Sequence, residues 1–277
     1  MNEKIYGTLY VVATPIGNLE DITLRAIKIL NEVDLIAAED TRHTLKLLNH
    51  LDISKPLISC HRHNEEDKSK EIIERLKEGK NIAIVSDAGT PGISDPGEQV
   101  IKCAIENDIK VVPIPGACAM INALICSGLD TKNFYFIGFL PLNKKLRKEK
   151  LEEIYDSNKT IILYEAPHKL KNTLIDLKAV IGNRKIVLAR EITKIHEEFI
   201  RKNIDELIEI SDSLRGEFVI IIEGKKEEKK ENELNNLTLE QHYKFYERQG
   251  LSKKEIIKKI AKDRNVNKNE IYIKFIE

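Results

Sequence analysis

Residues 86–97 read SDAGTPGISDPG, and they lie between the apolar run NIAIV at 81–85 and the helical pattern EQVIKCAIEN at 98–107. A Gly- and Pro-rich loop that joins a strand to a helix is typical of a ligand site, because glycine lets a ligand approach the backbone closely. The alternative interpretation is an ordinary strand-to-helix turn with Asp and Ser as caps. The neighbouring loops of the chain favour the ligand site.

The polar groups of this loop indicate which ligand it suits. Pro91 and Pro96 lack amide donors, and no Lys follows the glycines as in a phosphate-binding Walker loop. The carboxylates of Asp87 and Asp95 would repel an anion. Hydroxyl groups or a cation are better partners. A ribose diol, an amine and a sulfonium have this chemistry, and all three occur in S-adenosylmethionine.

Two other loops have the same character. The stretch KVVPIPGACAMINAL at 110–124 runs from a strand through a Pro-Gly turn into a helix, and TPIGN at 14–18 joins the first strand to a helix whose cap we expect near Asp21. In an open parallel sheet such loops meet at the carboxyl edge of the strands, where ligands bind. None of the three loops carries G-x-G-x-x-G, so a dinucleotide site is not expected.

Apolar strand patterns alternate with amphipathic helical patterns along most of the chain. The first series predicts strands near 7–13, 34–38, 56–60, 81–86 and 110–114, with helices between them, one of which spans 66–78 and ends at Gly79. The second series predicts strands at 133–139, 160–165, 185–191, 197–202 and 217–223, with helices around 144–157, 168–181 and 204–213. The fold class is therefore α/β, and the first series forms a mostly parallel sheet covered by helices.

The C-terminal part of the chain has a different composition. Residues 225–237 read KKEEKKENELNNL, a mixture of Lys, Glu and Asn typical of a solvated linker. Beyond it we predict two short helices in a helix-turn-helix-like module, the first ended by Gly250 and the second capped by Ser252. This module is either a brace that docks on the body or an RNA contact. The predicted organisation is an N-terminal α/β domain at 1–120, a C-terminal α/β domain at 121–224, the linker at 225–237 and the helical module at 238–277.

Composition sets further limits. The chain has 42% hydrophobic and 32% charged residues, and no apolar run approaches the ~20 residues of a membrane span. Its start, MNEKIYGTLYVV, shows no signal-peptide pattern, so we expect a cytoplasmic protein that does not enter a membrane.

Cysteine and histidine spacing gives no metal site. The four cysteines, Cys60, Cys103, Cys118 and Cys126, show no C-x-x-C pair, so neither disulfides nor structural zinc are indicated. A pair of histidines, His61 and His63, would point to the same face of an extended segment, but no third ligand supports a metal.

The net charge of zero hides two basic stretches, NKKLRKEK at 143–150 and the segment 248–274. Lysines of this kind can contact phosphates, which supply most of the sequence-independent affinity for nucleic acid. The alternative is that they lie on solvated faces, as is usual in a chain rich in Lys and Glu. Charge alone leaves both interpretations open.

Four motifs in order, TPIGNLEDIT, AAEDTRHT, SDAGTPGISDPG and VVPIPGACA, closely resemble those of the small-subunit ribosomal RNA methyltransferase I family, a branch of the tetrapyrrole methylase superfamily. The resemblance continues through FYFIGFLP, YEAPHKL, AREITKIHEE and GEFVIIIEG, and it covers nearly all of residues 7–224. It implies a tetrapyrrole-methylase-like fold, with two α/β domains and a cofactor cleft between them.

The resemblance also implies an activity. Members use S-adenosyl-L-methionine to methylate the ribose 2′-oxygen of a cytidine in 16S ribosomal RNA near the decoding centre, so the expected partner is 16S ribosomal RNA or the 30S subunit, with a homodimer as the expected assembly. By match to the family's motifs, the expected cofactor-binding residues are Pro15, Asp87, Ala88, Gly89, Ile93, Ser94, Ala117, Cys118, Tyr164, Glu165, Ala189 and Glu217.

A ribose hydroxyl is a weak nucleophile, so methylation asks for a positioned base or for a cation that stabilises the developing alkoxide. The candidates follow two strand ends and are Glu39, Asp40, Arg42, His43, Glu165 and His168. Of these we expect Asp40, Arg42 and Glu165 to be catalytic. For Asp40 and Arg42 the alternative is an ion pair that fixes a loop, and for Glu165 it is a hydrogen bond to the donor or to backbone.

Two functions of other classes remain open. A methyltransferase for a tetrapyrrole would need an apolar, aromatic-lined cleft wide enough for a macrocycle, whereas the chain has no Trp and 5% aromatic residues. A non-catalytic ribosome-binding module could retain the fold, although the intact loops and Asp87 argue against it.

Overall fold

The computed structural model describes residues 6–226 and 233–275, and the chain divides into two compact units between Lys225 and Lys226. The first unit contains two five-stranded sheets with their helices, and the described residues of the second include three short α-helices. Within the described ranges, no helix is both long enough and apolar enough to cross a membrane.

The first sheet is parallel throughout. It consists of β1 (Thr8–Val12), β2 (Leu35–Ala38), β3 (Leu57–Ser59), β4 (Ile82–Val85) and β5 (Lys110–Ile114). The strand order is β3–β2–β4–β1–β5, and every neighbouring pair is parallel, as the sequence predicted. All positions of β2 and β4 are buried, which explains their continuous apolar runs, since both faces of a parallel sheet are covered by helices.

Helices cover the two faces of this sheet in pairs. α1 (Leu24–Glu32) and α2 (Thr41–His50) pack on one face, and α3 (Glu65–Lys77) and α4 (Glu98–Glu106) pack on the other. The chain therefore leaves the neighbouring strands β1 and β4 toward opposite faces. A crevice forms at the carboxyl ends of two such strands, and in open α/β sheets it is the usual ligand site. The loops at 13–18 and 86–97 meet there.

The first helix begins later than predicted. Its cap is Thr23, whose hydroxyl accepts a hydrogen bond from the Ala26 amide at 3.1 Å. The cap expected near Asp21 is wrong, because Asp21 ends a separate short turn that Asn18 caps by accepting from the Glu20 amide at 3.1 Å. By contrast, α3 ends close to the predicted position, and Gly79 follows it with φ of +88°.

The second sheet is mixed. It consists of β6 (Phe134–Phe139), β7 (Thr160–Glu165), β8 (Ile186–Arg190), β9 (Glu198–Lys202) and β10 (Phe218–Ile222). The order is β6–β7–β10–β8–β9; β6 and β7 are parallel and the other pairs antiparallel. All five residues of the central strand β10 are buried. The sequence predicted these strands at nearly these positions.

One face of the second sheet packs against α5 (Ala119–Ser127), together with Ile16 from the loop after β1. The other face is covered by α6 (Lys144–Asp156), α7 (Leu170–Ile181) and α8 (Ile204–Ile210). The first unit thus has two halves, one built on each sheet, and Ile16 from the first half packs against the second sheet. The limits 1–120 and 121–224 for two separate domains stay a prediction.

The second unit consists of α9 (Leu239–Glu247), α10 (Lys253–Asp263) and α11 (Lys268–Ile273), packed around a small apolar core that includes Tyr246 and Ile260. Gly250, with φ of +78°, separates the first two helices as predicted. The Glu255 carboxylate accepts from the amide and hydroxyl of Ser252 at 3.0 and 2.6 Å, so Ser252 caps α10 as predicted. The third helix was not predicted, and 227–232 of the predicted linker at 225–237 lie outside the described residues.

Candidate active site

The crevice at the carboxyl edge of the first sheet is closed at its base by a backbone bridge. The Thr14 amide donates to the Gly89 carbonyl at 2.9 Å, and the Gly89 amide donates to the Thr14 carbonyl at 3.0 Å. Gly89 has φ of +80°, and a Cβ there would lie 3.3 Å from the Ile16 side chain. Glycine is needed at this point because it alone adopts this backbone without strain and leaves the space open.

A cavity of about 460 Å³ opens beside this bridge, a size typical of sites for small organic ligands. Both halves of the first unit line it: the first contributes the loops after β1, β4 and β5, and the second contributes residues from β6, β7, β8 and β10. The expected cofactor-binding residues that line this cavity are Ala88, Gly89, Ile93, Ser94, Cys118, Tyr164, Glu165, Ala189 and Glu217. Residues distant in sequence thus converge on one cavity.

Three expected cofactor-binding residues lie outside this cavity. Pro15 and Asp87 line a neighbouring groove of about 270 Å³. Ala117 lines a third cavity of about 530 Å³, and its carbonyl accepts a hydrogen bond from Thr90 at 3.3 Å. The Asp87 carboxylate is turned toward the β2–α2 loop, where its Oδ1 accepts from the Asp40 amide at 3.1 Å.

Asp95 lines the cavity and was not among the expected site residues. Burial raises the pKa of its carboxyl group, with Asp87 adding to the rise and Arg62 opposing it. No hydrogen bond or ion pair to the Asp95 side chain is found among the described residues. The repetition of Ser-Asp in SDAGTPGISDPG was the available signal, because it places a second carboxylate in the same loop.

Aromatic and aliphatic side chains form one wall of the cavity. The Tyr164 ring meets the rings of Phe136 and Phe139 edge to face, with centroids 5.0 and 5.8 Å apart. Burial raises the pKa of Tyr164 to about 12, so its phenol is neutral at physiological pH. With Ile93 and Ile192, the rings of Tyr164 and Phe139 line the cavity and offer a surface on which a flat heterocycle can pack.

Glu165 is buried, and each of its carboxylate oxygens has a partner. Its Oε1 accepts from the Ala166 amide at 2.9 Å, and its Oε2 accepts from the Thr173 hydroxyl at 2.5 Å. Arg147 donates in turn to Thr173 Oγ1 at 2.9 Å and to Asp176 at 2.7 Å. Glu165 is therefore placed to fix the turn at 166–168, which borders the cavity. Its geometry suits this role better than that of a free base.

The structure places Asp40 and Arg42 together at the start of α2. The guanidinium of Arg42 binds the Asp40 carboxylate through two hydrogen bonds of 2.7 and 3.1 Å. The Arg42 side chain is 88% exposed. Asp40 also accepts from the Arg42 amide at 2.8 Å and so caps the helix. The guanidinium holds the pKa of Asp40 well below its usual range. The pair borders none of the three cavities described above.

An ion-pair cluster lies at the rim of the cavity. Lys194 binds Glu217 at 2.9 Å and Glu191 at 3.0 Å, and the Glu217 side chain is 80% exposed. The loop after β1 touches this cluster, since a Cβ at Gly17 would lie 2.4 Å from the Lys194 side chain. The rim is therefore built from both halves of the unit, like the cavity itself.

No metal site is assembled in the part of the chain that the structure describes, where no three His, Cys, Asp or Glu side chains come together as ligands. His61 and His63 have ring centroids 6.0 Å apart. His168 lines the cavity, and His43 lines the neighbouring groove.

Comparison with known proteins agrees with this architecture. Residues 8–208 match the Tetrapyrrole (Corrin/Porphyrin) Methylases. The crystal structure of uroporphyrin-III C-methyltransferase from Thermus thermophilus complexed with S-adenosylhomocysteine has a similar fold, with a TM-score of 0.56 and 15% identity over 78% of this chain and 97% of that chain. The tetrapyrrole-methylase-like fold with a helical C-terminal part is thereby confirmed.

Closer relatives share much more sequence. The chain is 51% identical to ribosomal RNA small subunit methyltransferase I of Halalkalibacterium halodurans, over 96% of this chain and 93% of the relative. It is 50% identical to the Bacillus subtilis protein of the same name, again over 96% of this chain and 93% of the relative. The chain therefore belongs to the ribosomal RNA small subunit methyltransferase I family, within the tetrapyrrole methylases.

Proposed function

We propose that this protein transfers a methyl group from S-adenosylmethionine to the ribose 2′-oxygen of a cytidine in small-subunit ribosomal RNA, near the decoding centre. The observation that carries the proposal is the cavity of about 460 Å³, on which nine residues expected from motifs throughout the sequence converge. Relatives of 50% and 51% identity over almost their whole length are named for ribosomal RNA methylation.

The residues that line the cavity fit the cofactor. The apolar wall of Ile93, Ile192 and Tyr164 suits the adenine ring, and the open space beside Gly89 lets a ligand approach the backbone. The Asp95 carboxylate suits a positive charge or a hydroxyl. A neighbour of the same fold, solved with S-adenosylhomocysteine, shows that this architecture can hold the demethylated form of that donor.

S-adenosylmethionine supplies an activated methyl group on its sulfonium, so the protein's main task is to align donor and acceptor, which can contribute ~7–11 kcal/mol. Glu165 is a positioning residue, because both its oxygens hold protein groups. Asp40 is held in the same way by Arg42 and by its helix. Asp95 is the better candidate to contact the reacting groups, since its carboxylate borders the cavity and its pKa is raised.

Two other functions make different predictions. The tetrapyrrole enzymes among the structural neighbours are 15–17% identical to this chain, so they support the fold and not the acceptor. A non-catalytic ribosome-binding module would hold the cofactor or the RNA without turnover. Methylation of ribosomal RNA agrees with the cytoplasmic location expected from the sequence. We also propose the homodimer that the family resemblance implies. Sedimentation that gives a mass of 31.7 kDa at micromolar concentration would contradict the dimer.

The acceptor class can be tested with labelled S-adenosylmethionine and three acceptors in parallel: 30S subunits from cells that lack this protein, protein-free 16S RNA, and a reduced uroporphyrin. We expect transfer to the ribosomal acceptors. Transfer to the tetrapyrrole alone would overturn the proposal. Cofactor binding without transfer to any acceptor would support the non-catalytic alternative.

A further inference from the structure

The groove of about 270 Å³ beside the cofactor cavity has a basic side. Its floor is the loop after β1, from Thr14 to Leu19, and one side is α2, which contributes His43, Lys46, Leu47 and His50. His43, Lys46 and His50 are spaced three and four residues apart, so they share one face of the helix. All three are exposed to solvent.

The groove and the cofactor cavity share a thin wall. Thr14 lines the groove while Gly89, its partner in the backbone bridge, lines the cavity. Along the same loop, Pro15 and Gly17 border the groove whereas Ile16 borders the cavity. A molecule in the groove is therefore separated from a ligand of the cavity by a single layer of chain.

The groups in the groove suit an RNA backbone. Lys46 forms no ion pair with any residue in the described ranges, so its ammonium is available to a phosphate. The two imidazoles can donate hydrogen bonds to phosphate oxygens, and Leu47 and Leu19 offer apolar surface to a ribose or a base. Asp87 lines the groove too; its Oδ1 is held by the Asp40 amide. Its other oxygen can accept from a ribose hydroxyl.

We infer that this groove binds the phosphodiester backbone of the RNA substrate next to the target nucleotide, with Lys46 as the charged phosphate ligand and His43 and His50 as hydrogen-bond donors. The inference rests on the proposed function, because it assigns the acceptor side of the same site. Although the net charge of the chain is zero, Lys46 supplies a positive charge at the site itself.

The test compares Lys46→Ala with the matched control Lys102→Ala. Lys102 is another exposed lysine, in the middle of α4, which packs on the opposite face of the first sheet. Both changes remove one positive charge and place a good helix former on a helix surface. The binding of full-length protein to 30S subunits and to 16S RNA is measured at several salt concentrations, together with the affinity for S-adenosylmethionine.

For Lys46→Ala we expect weaker RNA binding and a salt slope, log Kd against log salt, reduced by ~0.7 to 0.9 for the lost phosphate contact. The KM for 30S subunits should rise, with kcat and cofactor affinity close to wild type. The separate double variant His43→Gln and His50→Gln should also weaken RNA binding, with little change in salt slope. Lys102→Ala should match wild type throughout.

A salt slope and RNA affinity of Lys46→Ala equal to those of Lys102→Ala would overturn the groove assignment and leave the proposed function intact. If the wild-type protein methylates no ribosomal acceptor, the proposed function fails. The binding titration is read separately from turnover, so it tests the groove in either case.

Discussion

The backbone of Thr14 pairs with that of Gly89 through hydrogen bonds of 2.9 and 3.0 Å, and this pair closes the crevice at the carboxyl ends of β1 and β4. On one side of the pair is the cavity to which we assign the cofactor, and on the other is the basic groove. The cavity and the groove are thus neighbours that share this pair as a wall, so RNA backbone held in the groove lies beside the cofactor site.

The first prediction concerns Gly89. Gly89→Ala forces a side chain into a backbone of φ +80° and places its Cβ 3.3 Å from Ile16. Gly128→Ala is the matched control, because Gly128 has φ of +78° and a Cβ there would meet nothing within 4 Å. Both changes should lower the free energy of unfolding by about 1–2 kcal/mol through backbone strain. Calorimetric titration should show weaker S-adenosylmethionine binding for Gly89→Ala alone. Equal affinities in the two variants would contradict the cavity assignment.

The second prediction concerns Asp95. Asp95→Asn should lower kcat/KM for 30S methylation by ~10² or more if the carboxylate contacts the reacting groups. Stability to urea should be unchanged or higher, because burial disfavours the charged carboxylate. Glu98→Gln, at an exposed position in the first turn of α4, removes the same charge nearby and should have little effect.

The same residue gives a pH dependence. Since burial raises the pKa of Asp95, the ionised form is lost at a higher pH than for an ordinary Asp. Activity should therefore be full above this raised pKa and should fall as the pH drops through it. The acid limb of the wild-type rate profile should lie above the usual Asp range and should be absent from the residual activity of Asp95→Asn. An unchanged limb in that variant would exclude Asp95 as its source.

The third prediction separates a positioning role of Glu165 from a catalytic one. Thr173→Val leaves Glu165 Oε2 without its donor and should cost about 1–3 kcal/mol of unfolding free energy. The loss for Glu165→Gln and Thr173→Val together should be smaller than the sum of the two, as urea unfolding can show. Glu165→Gln should weaken cofactor binding through the turn at 166–168, with kcat at saturation retained. Loss of kcat with unchanged cofactor binding would instead indicate a catalytic base.

The fourth prediction concerns the C-terminal unit. His242 is fully buried; its Nε2 lies 3.2 Å from Asp263 Oδ2, and its Nδ1 accepts from Arg264 Nε at 3.3 Å. Burial lowers the pKa of His242, so below its ordinary value of 6.5 the unfolded state binds more protons than the folded state. The stability of this unit should be greatest above pH 6.5 and should fall as the pH decreases from there to the folded pKa.

Hydrogen exchange of the full-length chain at pH 7.5 and pH 5.5, corrected for intrinsic rates, measures this effect. Protection of α9 and α10 should decrease at the lower pH, and α3 of the first unit serves as the internal reference. His242→Gln should reduce the pH dependence. Equal protection of α9 and α10 at both pH values in the wild-type chain would contradict the prediction.

Sequence patterns predicted the strands and the parallel first sheet, because apolar runs such as IAIV report burial directly. They could not give the strand order or the antiparallel pairing around β10, since pairing between distant strands leaves no local signal. The helix α11 was missed because six residues with one buried side chain, Ile271, show too little periodicity.

The sequence also predicted most residues of the site, but not the contacts of their carboxylates. Loops that follow parallel strands had to meet at one edge, so most expected cofactor residues do line the cavity. Which carboxylate faces the cavity depends on tertiary partners. Asp87 turns to the Asp40 amide and Glu165 to Thr173, and both partners lie elsewhere in the sequence. Asp95 also lines the cavity, and no protein hydrogen bond or ion pair to its side chain is found among the described residues.

The most direct test of the account is nucleoside analysis of 30S subunits, from cells lacking this protein, after incubation with the purified chain and labelled S-adenosylmethionine. We expect label in 2′-O-methylcytidine, at a level much reduced with Asp95→Asn. Label in a base-methylated nucleoside, or no label in RNA although the protein binds the cofactor, would contradict it.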